Sequence, residues 1–185
     1  VSNALIKKFE FNNLNGRLPR VSLTLSNGKF YGTTYFGGIN DLGVLFEWDP
    51  NSNLYTKLLD FNGENGSNPS STLMLHEGKL FGTTQSDIVN FDGSIFEWDP
   101  SNGTFTSKIF LNGDNGSNPL GALSLFQGKF YGTTHSGGAT NSGVIFEWDP
   151  ITNLYIKKKD FNANQGGINP NGNLTLYNGM FFGMT

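Results

Sequence analysis

The chain of 185 residues contains no cysteine. Disulfides, thiolate nucleophiles and cysteine-ligated metal sites are therefore excluded, and stability must come from packing. The chain also lacks a long hydrophobic run, and its first fourteen residues carry no signal-peptide pattern. We therefore expect no membrane insertion in this segment.

An excess of charge of one sign is absent as well. Twelve Lys and Arg stand against 15 Asp and Glu, which gives a net charge of −3, and the charges are scattered along the sequence. Because a phosphate backbone is bound by a broad basic face, nucleic acid is not expected as a partner. The one basic run, 157–159, lies in a predicted strand and is interpreted as a solvated edge or face.

What the sequence does contain is a tandem repeat. Phe-Glu-Trp-Asp-Pro occurs three times at a spacing of fifty residues, at 46–50, 96–100 and 146–150. The same spacing aligns the Gly-Lys segments 28–34, 78–84 and 128–134, and a slipped fourth copy lies at 179–185. A single unit of this length cannot bury its apolar face alone, so such repeats stack into one continuous core.

The second unit shows the pattern within each repeat. Alternation, β-branched residues and turn signals predict four strands, at 71–75, 79–83, 94–99 and 104–111. Tight turns at 76–78 and 100–103 join neighbouring strands, and a polar loop occupies 85–92. The Gly- and Asn-rich linker 112–119 is expected to form no element of its own.

These features predict an all-β fold, a β-propeller of four-stranded blades of about fifty residues. A β-solenoid is the alternative, although two tight hairpins per repeat favour antiparallel pairing. We expect one repeat domain over 1–185 with about 3.7 blades. Its predicted parts are a partial outer strand at 4–11, blades at 19–61, 69–111 and 119–161, and a partial blade at 170–185. We further expect a segment of a longer repeat protein, or a partner that completes the open β edge.

Residues 118–161 resemble a kelch-type propeller blade, with an apolar strand, a Gly-Lys-Phe-Tyr hairpin and the pair Gly137-Gly138. In this comparison Trp148 takes the place of a Tyr and Tyr155 lies near the place of a Trp. The sequence pattern Tyr-Gly-Thr-Thr, then Gly-Gly, Gly and Phe, looks still more like the bacterial tandem repeats called GloVer. That resemblance implies an exported or cell-surface location and no established chemistry.

The three acidic pairs of the repeated motif are expected to be structural, because a catalytic pair is generally needed only once per protein. The Asp before Pro is expected to accept hydrogen bonds in the hairpin, and the Glu to face solvent or pair with Lys. The Trp side chains are interpreted as inter-blade core, with stacking on sugars as the alternative. The residues assigned to this structural repeat are Trp48, Asp49, Trp98, Asp99, Trp148 and Asp149.

No metal site or cofactor is expected. The chain has two histidines, His76 and His135, at non-equivalent repeat positions, and neither has a second His at metal-binding spacing. A Ser-His-Asp arrangement stays open but has no nucleophile signature. The acidic, Asn-rich stretches 60–68 and 114–118 lack the spacing of a calcium loop and are interpreted as ordinary turns.

The loops between the second and third strands vary while the framework is constant, as at the binding faces of repeat proteins. The same variation also arises where nothing constrains a loop. The candidate ligand-binding residues are Tyr35, Asn40, Asp41, Gln85, Asp87, Asn90, His135 and Asn141. The sequence thus favours a non-enzymatic interaction or display scaffold with a protein or glycan partner. The alternatives are a lectin-like glycan-binding module and a glycan hydrolase or lyase that depends on His135 or Asp87.

Overall fold

The computed structural model describes residues 6–164 and 166–185, and these form fifteen β-strands and no helix. The strands are β1 (Thr24–Ser26), β2 (Lys29–Thr34), β3 (Val44–Asp49), β4 (Leu54–Asp60), β5 (Ser67–Pro69), β6 (Met74–His76), β7 (Lys79–Ser86), β8 (Ser94–Asp99), β9 (Thr104–Phe110), β10 (Ser124–Phe126), β11 (Lys129–Thr134), β12 (Val144–Trp148), β13 (Tyr155–Asp160), β14 (Thr175–Tyr177) and β15 (Met180–Phe182). In this described part, no helix is long and apolar enough to cross a membrane.

The strands form antiparallel sheets that follow the sequence repeat. Blade 1 has the order β1-β2-β3-β4 and blade 3 the order β10-β11-β12-β13. Blade 2 consists of β6 to β9, with β5 as an additional edge strand on β7, and β14 and β15 form a two-stranded sheet. All these pairings are antiparallel, which excludes the parallel rungs of a solenoid among the described strands. The predicted all-β propeller fold is confirmed.

Tight turns set the register of each inner hairpin. Asn27 and Gly28 have φ angles of 49° and 77°, and Glu77 and Gly78 have 49° and 78°. Positive φ at both central residues defines a type I′ turn, which matches the right-handed twist of the flanking strands. The repeated register follows, since Leu80 pairs with Trp98 in blade 2 as Phe30 pairs with Trp48 in blade 1.

Three strand predictions need correction. The first strand of blade 2 is only three residues long and begins at Met74, and β7 continues to Ser86, into the predicted loop. The linker 112–119 forms no strand, as predicted, whereas the corresponding linker before blade 2 contains β5, which pairs with the end of β7. Of the predicted outer strand 4–11, residues 4 and 5 lie outside the described residues, and 6–11 form no strand. A strand needs a neighbour for its ladder of hydrogen bonds, and no described strand pairs with 6–11.

The core lies between blades. Successive side chains of a strand point to opposite faces of its sheet, and each face packs on a different neighbouring blade. One apolar cluster joins blade 1 to blade 2, and a second joins blade 2 to blade 3. The first includes Tyr31, Leu45, Phe61, Leu73, Leu80, Phe96 and Trp98. The second includes Phe81, Ile95, Leu123, Phe130, Phe146 and Trp148. Each fully buried large side chain contributes about 1.5–3 kcal/mol, so the stacking of blades is a main source of stability.

Candidate functional site

The variable loops gather at one end of the blades, here called the loop face. The loop face consists of the segments 35–43, 85–93 and 135–143. In every blade the second strand ends and the third strand begins at this end, as at Thr34 and Val44 in blade 1. All eight candidate ligand-binding residues therefore lie on one side of the molecule.

Two of these candidates, Asn40 and Asn90, fasten their loops to the following chain segment. Asn40 Nδ2 donates a hydrogen bond to the carbonyl of Phe61 at 3.0 Å. Asn90 Nδ2 donates to the carbonyl of Leu111 at 3.2 Å. The two amides occupy equivalent places in blades 1 and 2, which indicates a shared structural task.

Asp41 and Asn141 are exposed, and each accepts a backbone amide from the start of its own loop. The amide of Gly37 donates to Asp41 Oδ1 at 2.8 Å, and the amide of Gly137 donates to Asn141 Oδ1 at the same distance. Asp41 also forms an ion pair of 2.7 Å with Arg17. The hydrogen bond from Arg17, with that from Gly37, holds the pKa of Asp41 below its ordinary value.

Asp87 lies inside its loop, and its side chain is only 1% exposed. Its Oδ1 accepts hydrogen bonds from the amides of Val89 and Asn90 at 2.7 and 2.8 Å, and its Oδ2 accepts one from Gly93 at 3.0 Å. Three amide donors satisfy most of the hydrogen-bonding capacity of the carboxylate, which is what burial of a charge requires. Asp87 therefore shapes the loop rather than facing solvent.

The remaining three candidates, Tyr35, Gln85 and His135, occupy the same repeat position in successive blades. We call them the loop-face row. The Tyr35 hydroxyl donates to Gln85 Oε1 at 2.5 Å across the gap between blades 1 and 2. All three side chains are half-buried. The loop-face row therefore places three different chemical groups, a phenol, an amide and an imidazole, at one position of the repeated blade.

Arg20 adds a cation to the row. Its guanidinium carbon lies 4.2 Å from the ring centroid of Tyr35, within the range of a cation–π contact, while its side chain is exposed. The sequence analysis missed Arg20. A signal was available, because the equivalent positions carry Ser70, Leu120 and Asn171 and therefore vary as the loop-face row does.

His135 is held by its backbone and not by its ring. Its amide donates to the carbonyl of Asn118 and its carbonyl accepts from Asn169 Nδ2, both at 2.9 Å. Its Nδ1 is buried and has no hydrogen-bond partner among the described residues. A buried nitrogen without a partner costs free energy, so this ring nitrogen is the part of the row with unused hydrogen-bonding capacity.

A family model described as the Gloeobacter/Verrucomicrobia repeat matches residues 2–185. The chain belongs to this repeat family. The match supports the second of the two resemblances seen in the sequence, and the kelch resemblance stays a resemblance. Among curated protein sequences, none matches the chain.

Solved structures show the fold of this Gloeobacter/Verrucomicrobia repeat chain in other proteins. The extracellular domain of BT4673 from B. thetaiotaomicron is similar with a TM-score of 0.59 and 12% identity, over 85% of this chain and 18% of that one. TolB from Acinetobacter baumannii is similar with a TM-score of 0.54 and 14% identity, over 88% of this chain and 37% of that one. The repeat chain thus spans less than half of either protein, and at these identities the likeness concerns the fold alone.

The repeated Asp residues of this family member lie at the opposite end from the loop face, directly before the hairpin turns 50–53, 100–103 and 150–153. Asp49 Oδ1 accepts from the amide of Asn51 at 2.8 Å, and Asp149 Oδ1 accepts from that of Ile151 at 2.9 Å. The Asn51 amide holds the pKa of Asp49 below its ordinary value, and the amides of Thr152 and Ile151 do the same for the pKa of Asp149. Asp99 accepts equivalent hydrogen bonds, from the amide and hydroxyl of Ser101.

The repeated Glu residues pair with Lys across neighbouring strands. Lys29 Nζ lies 2.6 Å from Glu47 Oε1, and Lys129 Nζ lies at the same distance from Glu147 Oε1. Glu147 also accepts from Lys158 and from the Tyr131 hydroxyl, at 3.1 and 3.2 Å. The hydrogen bond from Lys129 is the main cause that lowers the pKa of Glu147.

The Trp side chains of the repeat differ in burial. Trp98 is 5% exposed and Trp148 is fully buried, whereas Trp48 in blade 1 is half-buried. The inter-blade interpretation therefore describes Trp98 and Trp148 directly. Trp48 lies on a blade face that no described blade covers.

The described residues contain no group of three or more His, Asp or Glu placed to hold a metal ion. In the acidic linker before blade 2, Asn62 and Asn65 each accept the backbone amide of the other, at 3.0 and 2.8 Å. Asn112 and Asn115 repeat this arrangement before blade 3. Because these side-chain oxygens are engaged within the turn, both stretches have the hydrogen bonding of ordinary turns.

Proposed function

We propose that this chain is a non-enzymatic interaction module of an exported or cell-surface bacterial protein, and that it contacts a protein partner through Arg20 and the loop-face row. The observation that carries the proposal is the chemical variation at one repeat position. Tyr35, Gln85 and His135 differ while the strands beneath them have the same register. Repeat proteins acquire specificity by such variation on a constant frame.

The chemistry of this surface supports a protein partner. Tyr and Arg are enriched among the residues that contribute most to protein interfaces, because they combine large contact area with directional hydrogen bonding. The Tyr35 ring is held between Arg20 and Gln85, so little side-chain freedom remains to be lost on binding. The half-buried His135 side chain adds a third chemical group to the same surface.

The proposed location is supported by the family and by one structural likeness. The chain belongs to a bacterial repeat family, and the GloVer resemblance implies export. One similar fold is part of an extracellular domain.

A lectin-like module is the second candidate, because an aromatic ring and an amide lie side by side at Tyr35 and Gln85. Such pairs can stack on a sugar and hydrogen-bond its hydroxyls. The Arg20 guanidinium covers one face of the Tyr35 ring, which reduces the surface left for stacking. A hydrolase or lyase is not proposed, since Arg20 and the loop-face row include no carboxylate.

The decisive experiment uses a displayed random-peptide library and a glycan array, both probed with the purified chain. We expect peptides that bind the wild type and lose binding at least tenfold with Tyr35→Ala or His135→Ala. The matched control is the double variant Asn51→Ala, Ile151→Ala, which changes exposed side chains in hairpins at the opposite end. Glycan binding that depends on Tyr35 would favour the lectin candidate instead. If peptide binding were unchanged by the loop-face substitutions as well as by the control, the loop face would not be the binding surface, and the proposal would be contradicted.

A further inference from the structure

Four apolar side chains are exposed together at the loop end of blade 2, which lies between two described blades. They are Ile88, Val89, Phe91 and Phe110, with exposed fractions of 51, 66, 71 and 40%, and we call them the apolar patch. Three of them belong to the loop-face segment 85–93, and Phe110 ends β9 beside that segment, where it pairs with Ser94. Single exposed apolar residues are common, whereas adjoining ones mark surfaces that bind another molecule.

The apolar patch is specific to blade 2. The equivalent residues are Gly38, Ile39, Asp41 and Asp60 in blade 1, and Gly138, Ala139, Asn141 and Asp160 in blade 3. Asp60 Oδ1 accepts the amide of Ile39 at 2.9 Å, and Asp160 Oδ1 accepts that of Ala139 at 2.8 Å. In blade 2, Phe110 takes the place of this carboxylate beside the loop.

Asp87 allows this exchange. The equivalent amide in blade 2, that of Val89, donates to Asp87 Oδ1 at 2.7 Å inside the loop. A buried carboxylate thus accepts the hydrogen bond that Asp60 and Asp160 accept in the other blades. The loop of blade 2 is closed without the apolar patch, so the hydrogen bonding of the loop does not explain why these side chains are exposed.

The backbone of Phe91 is in a conformation that a large side chain disfavours. Its φ is 63°, and the equivalent residues Asp41 and Asn141 have φ angles of 58° and 53°. Asp and Asn tolerate this left-handed region, whereas a bulky residue there is an outlier of the kind that clusters at functional sites. Because most of the Phe91 ring is exposed, packing within the chain returns little for this strain.

Three carboxylates flank the apolar patch, and we call them the acidic rim: Glu64, Asp92 and Asp114. On the side of blade 1, Ile88 Cγ2 packs on Gly63, the residue before Glu64, since a Cβ at Gly63 would collide with it. On the side of blade 3, a Cβ at Gly113, the residue before Asp114, would lie 3.7 Å from Asp92 Oδ2. Within residues 6–164 and 166–185, none of the three carboxylates forms an ion pair.

The cations at this end of blade 1 have no counterpart in blade 2. Arg17 and Lys57 are both replaced by Ser, at positions 67 and 107. Lys157 of blade 3 reaches the carbonyl of Asp114 at 3.0 Å, while its charge pairs with Asp160 at 2.9 Å. The surroundings of the apolar patch are therefore acidic, and they are complementary to a basic molecule.

We propose that the apolar patch anchors a segment of a protein partner in which a large apolar side chain is flanked by Lys or Arg. The apolar side chain packs on Phe91 and its neighbours, and the flanking cations face the acidic rim. Complementary charge of this kind orients a partner and speeds its encounter. An anionic bilayer is disfavoured as the occupant, because the acidic rim repels it. This inference deepens the proposed function and rests on it, since the apolar patch belongs to the loop face.

A displayed random-peptide library selected on the purified chain tests the apolar contact. The selected peptides should share an aromatic or large aliphatic residue with Lys or Arg on either side. Phe91→Asn introduces the residue type of position 141, so it should fold at least as stably in urea denaturation and weaken peptide binding about tenfold or more. Ile151→Ser is the control, since it removes a similarly exposed apolar side chain from the opposite end and should leave the Kd unchanged.

The double variant Glu64→Gln, Asp114→Asn tests the charge of the partner. It should weaken binding of the basic peptides severalfold at low salt, and the difference from wild type should shrink at high salt, because salt screens exposed charges. Selection of peptides without Lys or Arg, or equal affinity of the double variant at low salt, would show that the partner is not basic and overturn the proposal.

The remaining outcomes separate this inference from the proposed function. Peptides whose binding depends on Tyr35 or His135 but not on Phe91 would overturn the inference and leave the proposed function intact. Binding that depends on none of the three residues would overturn both. Binding of the chain to vesicles that contain phosphatidylserine, if Phe91→Asn abolished it, would assign the apolar patch to a membrane surface and contradict the choice of a protein partner.

Discussion

Asn153 links the buried indole of Trp148 to the preceding blade. Its Oδ1 accepts a hydrogen bond from Trp148 Nε1 at 3.1 Å, and its Nδ2 donates to the carbonyl of Lys108 at 3.3 Å. In blade 2 the equivalent residue is Gly103, and Trp98 Nε1 is buried without a partner. In blade 1 Trp48 Nε1 also lacks a partner, since no described blade is present to orient the Asn53 amide.

Gly103→Asn should therefore stabilise the protein. Gly103 has a φ of 70°, which Asn tolerates, since Asn153 has a φ of 57°. A Cβ at Gly103 would meet only the Trp98 ring, at an ordinary 3.9 Å. A new hydrogen bond to the buried indole should raise the free energy of unfolding by about 1 kcal/mol, measured by urea denaturation.

Asn153→Gly is the matched control for Gly103→Asn and should lower the free energy of unfolding by about 1–2 kcal/mol, because it leaves the Trp148 indole unpaired. Gly103→Ala separates the hydrogen bond from the loss of glycine. If Gly103→Ala stabilised the protein as much as Gly103→Asn, the bond to Trp98 would not be the cause.

Phe105→Tyr should stabilise blade 2 in a similar way. The hydroxyls of Tyr55 and Tyr155 donate to the carbonyls of Asn15 and Asn115, at 2.5 and 2.8 Å. Phe105 stacks on Phe96 at 5.2 Å, as Tyr55 stacks on Phe46 at 5.2 Å, so the added hydroxyl should reach the carbonyl of Asn65.

The expected gain for Phe105→Tyr is about 1 kcal/mol in the free energy of unfolding, and Tyr155→Phe should lose a similar amount. Thermal and urea denaturation of both variants measure this. A higher free energy of unfolding for Phe105→Tyr and a lower one for Tyr155→Phe would support a hydrogen bond from the hydroxyl to the linker carbonyl in both blades. An equal loss in both would mean that blade 2 has no room for the hydroxyl.

The sequence alone could predict the blades but not the tasks of the loop residues. Hairpin signals such as Asn27-Gly28 are local, and the alternation around Trp98 repeats at a constant spacing, so both can be read without the structure. Asp87 and Asn141 are different, because Asp and Asn are equally suited to bind a ligand and to cap a turn. Only the three-dimensional positions show that these side chains accept amides of their own loops.

The segment 6–11 shows a second limit of prediction from sequence. Its pattern matches the outer strand of the other blades, and Phe11 packs on Phe46 and Tyr55 as Phe61 packs on Phe96 and Phe105. Side-chain packing is therefore as the pattern indicates. A strand, however, also depends on a backbone neighbour, which a local pattern does not report.

Glu147 should make the free energy of unfolding depend on pH in the acidic range. Its folded-state pKa is lowered by Lys129, so the unfolded chain binds a proton more readily. The contribution of Glu147 is fully present above its unfolded pKa of about 4.3 and is lost as the pH falls through the lower folded value. Urea denaturation between about pH 7 and about pH 3 should show a steeper loss of stability in wild type than in Glu147→Gln.

Glu64→Gln is the control for the acid experiment, because Glu64 is an exposed carboxylate without an ion pair among the described residues. Its stability profile should follow that of wild type. If the stability of Glu147→Gln fell with pH as steeply as that of wild type, the ion pairs with Lys129 and Lys158 would contribute nothing measurable to stability in solution.

Gly38 and Asp60 are a matched pair in blade 1, and Gly138 and Asp160 repeat it in blade 3. Gly38 has a φ of 82°, and a Cβ there would collide with Asp60 Oδ1 and approach Val44 Cγ1 to 2.8 Å. In blade 2, Ile88 and Phe110 replace the Gly and the Asp together, so the carboxylate is absent where the larger residue is present.

Gly38→Ala should therefore be costly. Gly28 is the matched control, because its φ of 77° is nearly the same and a Cβ there would meet nothing within 4 Å. Gly28→Ala should lower the free energy of unfolding by about 1–2 kcal/mol through backbone strain alone. Gly38→Ala adds the collision and should lower it by about 3 kcal/mol or more. Equal losses in urea denaturation would show that strain, and not the contact with Asp60, determines why this position is glycine.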